Sequence, residues 1–154
     1  MTTMTEQATQ VYAVFIRATP EQVWDAITKP EFTTKYFYGS RVQSTFEQGA
    51  PYLSLAGDGD QQLTDGEILE SEPPRFLKHT WRSLWDPEQA EEPHSRVTWE
   101  IEPQEGGVTK LTVTHDQLEA SPKTAESVAG GWSYVLSGLK TLLETGKPLS
   151  TESM

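Results

Sequence analysis

The sequence contains no cysteine, which excludes disulfides, thiolate metal sites and cysteine nucleophiles and fits a reducing cytoplasm as the expected location. No apolar run approaches membrane-spanning length, so no membrane partner is expected. The opening MTTMTEQATQ has neither a basic start nor an apolar core and does not read as a signal peptide. Basic residues are few: 12 Lys and Arg stand against 23 Asp and Glu, a formal net charge of −11. A phosphate backbone is repelled by most of such a surface, so no nucleic-acid partner is expected. The 3 histidines lack HxH or HExxH spacing and form no recognisable metal-ligand set. GxGxxG, the P-loop and the nucleophile elbow are absent too, so no cofactor is expected. The stretch GDGD at 57–60 lacks the spaced ligands and terminal glutamate of a calcium loop and reads as a hairpin tip.

What is present is organised around one run near the end, KTAESVAGGWSYVLSGLKTLLET at 123–145. Val128, Trp132, Val135, Leu136, Leu139, Leu142 and Leu143 recur at steps of three and four, which places them on one face of a helix about 33 Å long. Pro122 precedes the run, and Gly146 and Pro148 close it. Burying that face contributes roughly 10 to 20 kcal/mol as an upper bound. Gly130, Gly131 and Gly138 each cost the helix about 1 kcal/mol relative to alanine. Such residues mark a kink or a close approach of backbone, and Gly130-Gly131 is a candidate kink at a cavity mouth.

The remainder supplies the cover. Residues 11–18, VYAVFIRA, form a first strand with Tyr12, Val14 and Ile16 on one side. Thr19 caps a helix with Pro20 at its first position and Val23, Trp24 and Ile27 as its stripe. Lys29-Pro30 breaks it, a second helical turn spans 31–36, and Gly39 releases the chain. From Arg41 onward the pattern is β: RVQSTF, PYLSLA, LTDGEILES, a Pro73-Pro74 turn, RFLKHTWRSLW, an acidic loop at 86–93, then the strands 94–103 and 108–117 joined by a turn at Glu105-Gly106-Gly107. Alternation puts Leu77, His79 and Trp81 on one face, with Val97, Trp99 and Ile101 and then Leu111, Val113 and His115 on the matching face. Such a half-wet antiparallel sheet closes on the terminal helix, an α+β arrangement.

The inward set therefore contains Trp81, Trp99, His115, Trp132 and Tyr134, beside Leu136 and Leu139. Two readings stand together: a filled aromatic core, and an aromatic-lined pocket for a flat or oily ligand. Tyr36, Phe37 and Tyr38 form an aromatic lip, at a cavity entrance or at a dimer contact. His79 and His115 share a face, and Asp65 or Glu67 on a neighbouring strand would complete an acid/base pair. A lone inward histidine is more often scaffolding, and His115 is expected to tie strand to helix.

These residues resemble a known family. The segments VYAVFIRATPEQVWDAIT, ESEPPRFLKHTWR, SRVTWEIEP, KLTVTHD and GWSYVLSGLKTLLETG together are similar to bacterial proteins of the Hsp90 ATPase activator homologue type, within the START-like helix-grip (SRPBCC, Bet v 1-like) superfamily. The resemblance implies a helix-grip fold: a curved antiparallel sheet of about seven strands around a long C-terminal helix, with two short helices after strand one and often a hydrophobic cavity. It covers 11–148 as one domain, leaving 1–10 and 149–154 as tails. Eukaryotic members carry a separate chaperone-binding N-terminal domain, to which nothing in these residues corresponds.

The leading functional expectation is non-enzymatic binding of a small hydrophobic or amphipathic molecule between sheet and helix, in a stress-response setting. The expected contacts are Tyr36, Trp81, Trp99 and His115 from the first part of the fold, and Trp132, Tyr134, Leu136 and Leu139 from the helix. A cofactor role toward an Hsp90-type chaperone is the first alternative. A cyclase- or hydrolase-like enzyme is the second, and it needs His79 or His115 to be accessible from a pocket.

Overall fold

A computed structural model describes residues 8–149. Seven strands form one antiparallel sheet: β1 (Gln10–Ile16), β2 (Arg41–Gln43), β3 (Pro51–Leu55), β4 (Gln62–Glu72), β5 (Phe76–Ser83), β6 (Ser95–Pro103) and β7 (Thr109–Asp116). Their order across the sheet is β1-β7-β6-β5-β4-β3-β2. The hairpins from β2 to β7 set neighbours in sequence side by side, and β1 closes the sheet against the last strand through the pairs Gln10–His115 to Ile16–Thr109. Two helices follow β1, α1 (Pro20–Thr28) and α2 (Pro30–Tyr36); a short α3 (Pro87–Ala90) lies between β5 and β6; α4 (Pro122–Ala129) and α5 (Gly131–Thr145) end the fold. This is the helix-grip architecture that the resemblance implies, and its sheet closes on the terminal helices as the strand pattern and the apolar stripe lead one to expect.

Local chemistry sets the boundaries. Thr19 and Gln22 form a reciprocal capping box at the start of α1, with Pro20 at the first helical position. The expected strand over 41–46 ends at Gln43, because Phe46 takes a positive φ of 60° and its N–H is bound by the Ser44 hydroxyl. The expected acidic loop contains α3, capped by the Asp86 carboxylate on the Glu88 N–H. In β4, Gly66 allows the Thr80 carbonyl of β5 to approach so closely that a Cβ would stand 2.0 Å from its oxygen. Ala8 and Gln10 are buried, so packing begins before Val11; residues 1–7 and 150–154, the rest of the expected tails, lie outside the described residues.

The terminal run is not one helix. It divides at Gly130, where α4 ends, and α5 carries the longer part of the stripe. Trp132, Val135, Leu136, Leu139 and Leu142 are buried against the sheet, Val128 does the same from α4, and Leu143 is half-buried at the border. Glycine's poor helix propensity explains why the break falls there rather than elsewhere in the run. Gly138 serves a close approach instead: a Cβ on it would lie 3.1 Å from Tyr36 Cβ on α2.

Candidate ligand-binding pocket

The inward faces of β5, β6 and β7 present the residues that alternation assigned to them, and Leu77, Val97, Trp99, Ile101, Leu111 and Val113 are almost fully buried. Toward β3 and β4 the wall and the helices separate, leaving a pocket of about 430 Å³. Its aromatic side is a cluster around Trp81. Phe37 stacks against Trp81 with centroids 6.2 Å apart and meets Trp132 edge-on at 5.7 Å, while Trp85 stands edge-on to Trp81 at 6.5 Å. Val128 and Val135 add aliphatic surface from α4 and α5. Offset and edge-to-face ring contacts of this kind hold the indoles in place without filling the space beside them. Tyr38 and Trp85 are 57% and 43% exposed, so the aromatic cluster reaches solvent at the mouth.

The polar part of the wall is small. Ser54 of β3 and Thr64 of β4 are register partners whose hydroxyls bond to each other at 2.5 Å. Ser40 also borders the pocket, and its hydroxyl donates to the Phe37 carbonyl. Among the described residues, none that borders the pocket carries a charge.

Both inward histidines lie behind this wall, wholly buried. Trp99 Nε1 donates to His79 Nε2 at 3.0 Å, and His79 Nδ1 then donates to the Thr80 carbonyl at 2.9 Å. His115 shows the opposite tautomer: Trp132 Nε1 donates to its Nδ1 at 3.0 Å, and its Nε2 donates to Ser95 Oγ at 2.7 Å. Ser95 passes the chain on to the Trp81 carbonyl. Desolvation pushes the His79 imidazole down to about 4. Desolvation, and secondarily the neighbouring His79, pushes His115 down to about 3, against a small opposing pull from Asp116. Each ring is a neutral strut with both nitrogens spent on the protein. His115 ties β7 to α5, as expected of it.

The carboxylates expected beside these rings are elsewhere. Asp65 faces the outer side of the sheet, where Arg82 grips it with two bonds of 3.1 and 2.7 Å and His94 Nε2 lies 3.0 Å away. Burial alone would raise the Asp65 carboxyl, but the Arg82 guanidinium and His94 hold it below the usual carboxylate range. Glu67 is exposed on the same strand. Strand pleating puts Asp65 and Glu67 on the face opposite the buried Thr64 and Ile68, so the proposed histidine–carboxylate pair does not form. Among the described residues no group of His, Cys, Asp and Glu could hold a metal ion, and no helix is long and apolar enough to cross a membrane.

Residues 17–144 match the family described as "Activator of Hsp90 ATPase homolog 1-like protein". The chain belongs to that family. Solved structures of similar fold include PFC0360w, an HSP90 activator from Plasmodium falciparum, at 23% identity and a TM-score of 0.70 over 92% of this chain and 98% of the other. The Aha1 dimer from Colwellia psychrerythraea is 18% identical with a TM-score of 0.68, over 90% of this chain and 98% of that one. DynU16, from the dynemicin biosynthetic locus, is 26% identical with a TM-score of 0.74, and the match spans 92% of this chain but 49% of DynU16. No curated protein matches this sequence.

The eight expected contact residues separate into three groups. Trp81 and Trp132 border the pocket. Tyr36, Trp99, His115, Leu136 and Leu139 are packed into the core behind it; the Tyr36 hydroxyl donates to the Ala26 carbonyl at 2.7 Å, so Tyr36 is no part of an exposed lip. Tyr134 is a correction: it is 38% exposed and stacks on Tyr38 with centroids 5.5 Å apart. Two residues beyond Trp132 on a helix is a turn of about 200°, which carries Tyr134 to the outer face. Phe37 and Tyr38 of the proposed lip do stand at the pocket, whereas Ser54, Thr64 and Trp85 had no place in the sequence reading. Trp85 was detectable as an aromatic just past a strand end; Ser54 and Thr64 carry no signal of their own.

Proposed function

We propose that this domain binds a small, largely apolar molecule in the pocket between sheet and C-terminal helices, without catalysing its conversion. The observation that carries the reading is the pocket of about 430 Å³ walled by Phe37, Trp81, Trp85 and Trp132, within the size range of small-molecule sites. Trp81 and Trp132 are its proposed contacts from the sequence set, and Phe37, Trp85, Val128 and Val135 join them. The reading favours binding over acid/base catalysis because both nitrogens of His79 and of His115 are already bonded within the protein. The proposed setting is a cytoplasmic stress response, consistent with the cysteine-free composition.

A panel of sterols, fatty acids, flavonoids and aromatic xenobiotics, screened by thermal shift and by quenching of tryptophan fluorescence, tests the proposal. At least one aromatic compound is expected to raise the melting temperature of the protein and to lose that effect in Val128→Trp, whose indole enters the pocket. Absence of any shift across the panel overturns the reading.

Family membership supports a second reading, as a cofactor of an Hsp90-type chaperone. Its test is the ATPase rate of the host chaperone at micromolar concentrations of this protein. An unchanged rate dismisses it.

A further inference from the structure

We infer that the pocket selects uncharged planar aromatic molecules carrying a hydrogen-bond acceptor, such as a ring ketone, and that the Ser54–Thr64 pair reads the acceptor. The inference rests on the ligand-binding reading above and names the class of ligand for that site. It begins with proton counting. The two hydroxyls bond to each other, so one donates and the other accepts. Whichever accepts keeps its own O–H hydrogen, and among the described residues neither hydroxyl has another partner. Both residues are buried, at 8% and 2% exposure, and both border the pocket. An unspent donor is therefore held in an apolar recess, where leaving it unpaired is unfavourable and a ligand oxygen would satisfy it.

The rest of the wall decides shape and charge. Phe37 is offset against Trp81 and edge-on to Trp132, and the two indoles are tilted by 51°, which leaves ring faces and edges for a flat ligand to pack on. A carboxylate or sulfonate would enter a site with no basic side chain, in a chain of net charge −11, and would lose its hydration without a counter-charge. An ammonium would find the aromatic faces but no carboxylate in the wall, and it would leave the spare hydroxyl hydrogen unmatched. A neutral ligand with one acceptor meets the spare hydroxyl hydrogen of the Ser54–Thr64 pair and brings no charge into the recess.

The test uses the full chain and four three-ring probes of nearly equal shape: fluorene, 9-fluorenone, 9-fluorenone-2-carboxylate and (fluoren-2-yl)methylammonium. Affinities are read from tryptophan quenching and checked by calorimetry. Fluorenone is expected to bind about five- to tenfold tighter than fluorene, the effect of one neutral hydrogen bond. The carboxylate and the ammonium are expected to bind at least tenfold more weakly than fluorenone. Ser54→Ala/Thr64→Val removes both hydroxyls and should erase the preference for fluorenone, whereas Thr64→Val or Ser54→Ala alone leaves one unspent O–H and should retain it; a preference that survives in the double variant overturns this inference. Equal affinity for fluorene and fluorenone, or tighter binding of either charged probe, overturns this inference and leaves the pocket a ligand site. Failure of all four probes to bind overturns this inference too, and the ligand reading falls with it only where the wider panel also gives no thermal shift.

Discussion

Lowering the pH from 7 to 5 should destabilise this protein through two side chains that never meet solvent in the folded state. His79 and His115 are fully buried, and each accepts an indole N–H on one nitrogen, a position that a protonated ring cannot offer. Folding therefore depresses both pKa values, to about 4 and about 3, whereas the unfolded chain binds protons near the ordinary value of 6.5. With the folded values below the unfolded ones, the unfolded state holds more protons at intermediate pH. Stability is then complete above the unfolded pKa and is lost progressively as pH falls through the window from about 6.5 to about 3. At pH 5 each unfolded imidazole gains about 2 kcal/mol by protonation while its folded counterpart stays neutral, so the pair costs about 4 kcal/mol relative to pH 7. That is a large share of the roughly 5 to 15 kcal/mol typical of a domain. Urea unfolding followed by far-UV circular dichroism at pH 7, 6 and 5 measures it. Single variants His79→Asn and His115→Gln should start from lower stability, and each should lose about half of the pH slope. General charge repulsion predicts the opposite sign, since titrating a net charge of −11 toward zero relieves repulsion in the folded state. A fall of less than about 1 kcal/mol between pH 7 and 5, or a slope that survives in the variants, refutes the reasoning.

The glycines should separate by what surrounds them. Gly66→Ala places a Cβ 2.0 Å from the Thr80 carbonyl oxygen, so β4 and β5 must shift, and a loss of about 3 kcal/mol or more is expected in chemical denaturation. Gly130→Ala meets nothing within 4 Å at a φ of −89° that alanine also adopts, so the smaller freedom of the unfolded chain should raise stability by about 0.4 to 1 kcal/mol, visible as a higher melting temperature. Trp132→Phe keeps a ring on the pocket wall but removes the N–H that His115 Nδ1 accepts. The unpaired nitrogen should cost about 1 to 3 kcal/mol and raise the pKa of His115, which a histidine-resolved NMR titration reads directly.

Two periodicities determined the frame of this protein before any tertiary contact was known. Alternation in β5, β6 and β7 and the three-four spacing of the terminal run report which side of each element is apolar, and an apolar side must be covered whatever the global arrangement. Short-range stereochemistry marked the ends in the same way, through the Thr19 cap and the Pro122 and Gly146 signals. Where local chemistry was overlooked, as at the Asp86-Pro87 start of α3, the signal was in the sequence all the same.

The pocket belongs to a different level. Whether a row of inward aromatics is a filled core or a cavity wall depends on how far β3 and β4 stand from α4 and α5, a distance that no local pattern encodes. That separation made Trp99 and His115 core struts and left Trp81 and Trp132, with identical patterning, facing open space. The pairing of Ser54 with Thr64 came from strand register, and the stacking of Tyr134 on Tyr38 came from the docking of α5 beside the segment after α2. Long-range geometry selects among sites that composition treats as equal, because the free energy of a void or a hydroxyl pair depends on neighbours brought together only by the complete fold.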